Sequence, residues 1–428
     1  MKWLFLLATL LLGACVSAWP ARDSLDSIAR DYVKLQLAIG EKEEGYIDAY
    51  YGPPEWQAEA KAAPRPLPEL AARAGVLSVR LRSLADARLD PMERRRRDFL
   101  LAQLRAASTR LRMIQGEKLA FAEEAEGLFG VRPDLKPLSS YDPLLAGLER
   151  LVPGPGPLAQ RVEAFQNRFT VPNDRLKPVF DAAIAECRRR TLGHIALPPN
   201  ERFTLEFVTG KSWSGYNWYK GDASSLIQVN TDLPTRISRA VDLGCHEGYP
   251  GHHVYNALLE EKLAKGRGWV EYTIYPLYSP QSFIAEGSAN YGIELAFPAA
   301  QKLRFETEIL YPLAGLPIAQ APAYAALQEA MKDLAGARFT IARDYLEGRI
   351  DRARAVELVQ KYQLVSKARA EQSVRFTEQY RSYVINYGLG LDMVRSAVER
   401  AGADPAERWA AMEKLLSEPT LPKDLTTP

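Results

Sequence analysis

Hydrophobic residues recur along most of the chain with the 3.6-residue period of amphipathic helices. Leu100, Leu104, Ala107 and Leu111 form one stripe. Leu176, Val179, Phe180, Ala183, Ile184 and Cys187 form a second, and Leu327, Leu334, Ile341 and Tyr345 a third. Gly348 follows Leu346 where a helix stop is expected. Between Ser24 and Arg150 the pattern predicts only helices and loops. The run Pro153-Gly154-Pro155-Gly156-Pro157 is the clearest breaker. It separates an N-terminal helical lobe, 23–152, from a catalytic lobe, 158–428, the two expected to form one continuous domain.

One region changes period. Phe203, Leu205 and Phe207 alternate with Thr204, Glu206 and Val208, and Ser224 to Asn230 is a second β-like run. Together they predict a small hairpin or sheet in a mainly α fold, with Ser224 to Asn230 offering an edge to an extended peptide. The loop between them, Gly210 to Gly221, is dense in aromatics and glycine. It is either a packed surface loop or a wall of a binding cleft. Another aromatic turn, Gly45 to Pro54, reads as packing.

Composition narrows the class. The 428 residues are 47% hydrophobic and 25% charged, which excludes disorder, collagen and a disulfide scaffold. A net charge of +2 gives no nucleic-acid footprint. The basic runs Arg94 to Arg97 and Arg188 to Arg190 read as solvated helix faces; in the first, Glu93 and Asp98 sit four residues from Arg97 and Arg94.

The N-terminus reads as an address. Lys2 precedes an apolar run too short to span a membrane but suited to a signal peptide. Leu12-Gly13-Ala14-Cys15 resembles the bacterial lipobox, which implies removal of 1–14 and lipidation of Cys15. Val16-Ser17-Ala18 supplies an ordinary cleavage site as the alternative. Val16 in place of Asp favours the outer membrane. The expected location is its periplasmic face, lipid-anchored, or the soluble periplasm, with the N-terminal lipid as the only membrane contact. Cys187, on an apolar stripe, reads as a buried core thiol, while a Cys187–Cys245 bridge is the alternative in an oxidising compartment.

Three of the four histidines fall in one window, His246-Glu247-Gly248-Tyr249-Pro250-Gly251-His252-His253; His194 stands apart. Imidazoles beside a carboxylate suggest a zinc hydrolase, with Glu247 as the base that activates water. A regular helix would place ligands at i and i+4, but that position is Pro250. On an undistorted helix His252 lies about 120° around and about 9 Å along from His246, and His253 about 10.5 Å along. Neither could share an ion with His246. Pro250 and Gly251 allow the backbone to bulge or break, and looping out two residues brings His252 into the second-ligand position.

Downstream, Glu286, Asn290 and Glu294 fall at i, i+4 and i+8 of an expected helix. Glu286 is the candidate third ligand; Asn290, Glu294 and, from the other helix, Asp242 are candidates for orienting the histidines. Tyr383 and Tyr387 are candidate donors to a tetrahedral oxyanion.

These motifs resemble a family of bacterial proteins, often lipoproteins, built around a domain of unknown function with HExxPGH followed by EGWAxY. His246 to His252 matches the first motif at every defined position. Glu286-Gly287-Ser288-Ala289-Asn290-Tyr291 matches the second except at Ser288, where the family has Trp. The family is similar in layout to α-helical zinc peptidases of the carboxypeptidase Taq group, and dipeptidyl peptidase III also carries an insertion between its ligand histidines. The resemblance favours His252 over His253 as ligand and implies Zn2+, a helical metallopeptidase-like fold and a peptide or small amide substrate. A non-catalytic metal- or ligand-binding envelope lipoprotein and an amidase acting on cell-wall fragments are the alternatives.

Overall fold

Capping side chains set where the helices begin. Ser24 and Ser27 exchange side-chain and backbone hydrogen bonds at the start of Leu25–Gly40. Asp90 and Glu93 do the same ahead of Pro91–Ile114, with proline at its favoured first position. Each cap satisfies amides that a first helical turn leaves without partners. A computed structural model of the chain describes residues 23–426, so the signal-like segment and Cys15 lie outside the described residues.

The fold is mainly α, as the periodicity predicts. The first two stripes are buried on Pro91–Ile114 and Leu176–Leu192. The third spans two helices, Ala321–Lys332 and Ala337–Leu346, yet Leu327, Leu334 and Ile341 still meet in one cluster. The larger core draws on both sides of the proline-rich breaker, from Ile28 and Leu104 to Phe180, Phe283 and Val394. The helices flanking that breaker, Asp142–Leu151 and Leu158–Asn167, both feed the second cluster.

Five short strands are present among the described residues: β1 Ile47–Tyr50, β2 Arg202–Val208, β3 Gly215–Gly221, β4 Ser224–Asn230 and β5 Ile274–Pro276. Three expectations are corrected here. The segment before Arg150 is not purely helical, because β1 pairs antiparallel with β5. β2 and β4 are parallel neighbours, not a hairpin; β4 is antiparallel to β3, giving the order β2–β4–β3. Asp222 and Ala223, both at positive φ, make the tight reversal from β3 into β4. Ser224–Asn230 is therefore the central strand and has no edge for a peptide; β3 is an edge strand, formed by the second half of the expected loop.

The basic runs are also corrected in part. Arg96 is buried and pairs with Glu271 and Asp26, because this face of Pro91–Ile114 packs against the turn Val270–Thr273. Glu93 serves the cap instead of Arg97, which pairs with Asp86. Arg188 pairs with Glu201, while Arg189 and Arg190 pair with Glu186. No helix among the described residues is long and apolar enough to cross a membrane.

Candidate metal centre

The helix Ser238–Leu243 widens into a π turn at Gly244–Gly248, stops at Tyr249 and Pro250, and resumes as His252–Leu259. The Tyr249–Pro250 peptide is cis. Gly251 closes this break: a Cβ there would lie 1.7 Å from the His246 carbonyl oxygen, so only glycine fits. Its amide donates to the Cys245 carbonyl. Cys245 is bonded to Cys187 with Cα atoms 5.5 Å apart, which corrects the expectation of a free core thiol. The apolar face of Leu176–Leu192 packs directly on the π turn, bringing the two sulfurs together.

The break folds His252 back onto His246. Their Nε2 atoms are 3.1 Å apart, and Glu286 Oε2 lies 3.2 Å from His246 Nε2 and 3.7 Å from His252 Nε2. These three donors could hold a metal ion. Two of them, His246 and Glu286, are oriented from behind. Asn290 Nδ2 donates to the Tyr387 carbonyl, so Asn290 Oδ1 is the acceptor facing His246 Nδ1 at 3.1 Å. His246 then carries its proton on Nδ1 and turns the Nε2 lone pair inward. Tyr383 donates to Glu286 Oε1 at 2.8 Å, leaving Oε2 toward the histidines. Oε2 is buried and, among the described residues, accepts no hydrogen bond.

The surrounding charges act in opposite senses on the two glutamates. Burial would raise Glu286, but His252 and His246 outweigh it and hold the carboxyl far below the ordinary range. Burial also raises Glu247, and here the imidazoles only partly offset it. Burial opposes charge on His252, yet Glu286 first and Glu247 and Asp48 next push it up to about 9. Glu247 is reached closely by β3: a Cβ on Gly215 would lie 2.7 Å from Glu247 Oε1, and Asn217 donates to the Glu247 carbonyl.

The other candidates divide. Tyr387 lies roughly parallel to His246, ring centroids 6.3 Å apart, and its hydroxyl donates to no described residue. Tyr383 is committed to Glu286, and the segment Arg381–Tyr387 carrying both tyrosines is held by buried Glu124, which accepts from Arg381 and Ser382. Asp242 and Glu294 do not orient the histidines: Asp242 pairs with Lys302, and Glu294 with Arg395 and Lys332. His253 points away, between Ser225 at 2.8 Å and Glu201 at 3.1 Å. Exposed His194 stacks on Trp409.

The triad opens into a cavity of about 510 Å3, which Glu247, Trp213 to Asn217, Tyr383 and Tyr387 also line. Asp48, on β1, lines it too and accepts a hydrogen bond from Tyr216. Loss of water pushes its carboxyl up to about 6 despite the opposing pull of Tyr216 and His252. Asp48 was missed in the sequence; a carboxylate within the Gly45 to Pro54 aromatic turn was the available signal.

The chain matches no family model, and no curated protein matches it at a significant level. Among solved structures it is similar to a Colwellia psychrerythraea protein described as a "putative lipoprotein", at 14% identity over 92% of this chain and 75% of that one, TM-score 0.49. It is also similar to the M32 carboxypeptidase from Deinococcus radiodurans R1, at 13% identity over 91% of this chain and 88% of that one, TM-score 0.34. At TM-scores below 0.5, neither likeness carries a conclusion about chemistry.

Proposed function

We propose that the chain is a zinc-dependent hydrolase of the cell envelope, a peptidase acting on peptides that enter the 510 Å3 cavity. The observation that carries this reading is Glu286 Oε2, a buried carboxylate oxygen without a hydrogen bond, aimed at two imidazole Nε2 atoms. Donors about 2.0–2.2 Å from a tetrahedral zinc lie about 3.3–3.6 Å apart, and the observed 3.1, 3.2 and 3.7 Å bracket that spacing. Two imidazoles and one carboxylate also suit zinc in chemical character. His246, His252 and Glu286 would hold it.

When bound, zinc supplies a Lewis acid that brings the pKa of water toward neutrality. Glu247, its basicity raised by burial, takes the proton from the attacking water and delivers it to the departing amine. The free Tyr387 hydroxyl donates to the oxyanion as it develops; Tyr383 acts by positioning Glu286. Gly215 lets edge strand β3 pass beside Glu247, where a substrate backbone would lie. The Cys187–Cys245 bridge supports an oxidising, exported setting, and the lipobox-like segment supports a lipid anchor at Cys15 in the outer membrane.

The test is Glu247→Gln. Hydrolysis of a peptide library should fall about 10²–10⁴-fold, while bound zinc stays at the wild-type ratio. Undiminished hydrolysis in this variant would remove Glu247 from the mechanism.

A further inference from the structure

The carboxylates lining the cavity are already engaged. Asp48 accepts from Tyr216, Asp242 pairs with Lys302, and Glu247 and Glu286 belong to the proposed centre. Three arginines line the same space. Arg239 donates to Ser214, and Arg369 donates to the Pro234 carbonyl and lies 3.6 Å from Glu163. Arg338 differs. Among the described residues its side chain has no hydrogen-bond or ion-pair partner, and its buried Nε has no acceptor. Its guanidinium lies over Phe376 and Tyr387, 5.1 and 5.9 Å from the ring centroids.

A second donor shares this condition. Gln363 Nε2 is buried, lines the cavity and has no acceptor. Arg338 is on Ala337–Leu346 and Gln363 ends the helix packed against it, Arg352–Gln363. A desolvated guanidinium without a counter-charge is costly, and one facing a cavity is relieved by an anion that enters it. Burial lowers the Arg338 pKa, with only Tyr387 opposing; no carboxylate is near enough to do so.

We propose that Arg338, assisted by Gln363, is a carboxylate-binding subsite, so that the substrates are peptides bearing a free carboxylate close to the scissile bond. The inference rests on the hydrolase reading and names its substrate class. Tyr387 spans the interval, with its ring 6.3 Å from that of His246 and 5.9 Å from the Arg338 guanidinium. Those separations place the guanidinium within about 12 Å of the His246 ring, a span that three to four residues of extended peptide cover at most, at about 3.3–3.6 Å each. The carboxylate has two sources, the peptide C-terminus or an acidic side chain.

Calorimetry on the zinc-loaded full chain carrying Glu247→Gln separates them. Three hexapeptides are titrated: a neutral peptide as free acid, the same peptide amidated, and an amidated version with glutamate near its end. The free acid or the glutamate peptide should bind about 10–100-fold more tightly than the neutral amide, and which one does so identifies the source. Adding Arg338→Met should bring all three to the amide's affinity, and Arg338→Lys should restore part of the difference. A thermal melt confirms that each variant is folded, and the lysine variant carries the test if the methionine variant is not. Equal affinities in the parent, no binding by any peptide, or discrimination that survives Arg338→Met would overturn the subsite. With Glu247 intact, Arg338-dependent binding without hydrolysis would leave the subsite standing and refute the hydrolase. Hydrolysis indifferent to the carboxylate would do the reverse.

Discussion

His252 and His253 are neighbours in sequence, and each faces a buried glutamate, yet the two environments differ in kind. Around His253, every polar atom is occupied: Ser225 meets one ring nitrogen and Glu201 the other, while Glu201 also accepts from Tyr249 and Arg188. Around His252, Glu286 receives one hydrogen bond, from Tyr383, and leaves Oε2 facing two imidazoles. The saturated cluster is built to hold β2, β4 and the helix His252–Leu259 together. Although Ser225, His253 and Glu201 are strung like a nucleophilic triad, Ser225 is only 2% exposed and meets no substrate. The open cluster is where chemistry can be added. Residue type does not distinguish them; unmet hydrogen-bonding capacity does.

The sharpest way to break this contrast is at Gly251, whose hydrogen is all that separates it from the His246 carbonyl. Gly251→Ala should force the helix break open and cost at least about 3 kcal/mol, seen as a shifted urea midpoint together with loss of bound metal. Asn290→Leu should act on the open cluster alone. Losing the partner of His246 Nδ1 should weaken zinc about 10–100-fold by chelator competition.

The saturated cluster should answer to pH instead. Burial would raise the Glu201 carboxyl, but His253, Tyr249 and Arg188 pull it down to about 2. A depressed folded-state value means its stabilisation is complete above the unfolded value of about 4.3 and is lost as pH falls toward 2. Glu201→Gln should therefore cost about 1–2 kcal/mol at pH 7, allowing for solvent screening, with the gap to wild type closing below pH 4. Chemical denaturation across that range measures it, and zinc affinity should hardly change.

Much of this was legible from local sequence because the physics was local. Helical stripes, caps and the Gly348 stop depend on near neighbours, and the mainly α fold follows from them. The break at Pro250-Gly251 was legible as well, since no continuous helix brings His246 and His252 together. What escaped depends on distant chain. Helical spacing extends the Glu286 face to Glu294 and the His246 face back to Asp242, but Lys302 and Arg395 arrive from elsewhere and capture both. The strand order was hidden because Asp222-Ala223 lacks the usual Asn-Gly turn signature. Asp48 and Arg338 escaped for the same reason: one sits in an aromatic turn, where its carboxylate was only a weak signal, the other on an ordinary helix, and only the tertiary fold turns both into the cavity.

If the open cluster binds metal and the saturated one does not, a paired substitution separates them. Zinc per chain is measured by elemental analysis on protein purified without chelator, for wild type, His252→Ala and His253→Ala. About one zinc is expected in wild type, near none in His252→Ala, and about one in a less stable His253→Ala. Zinc retained in His252→Ala and lost from His253→Ala would contradict that expectation.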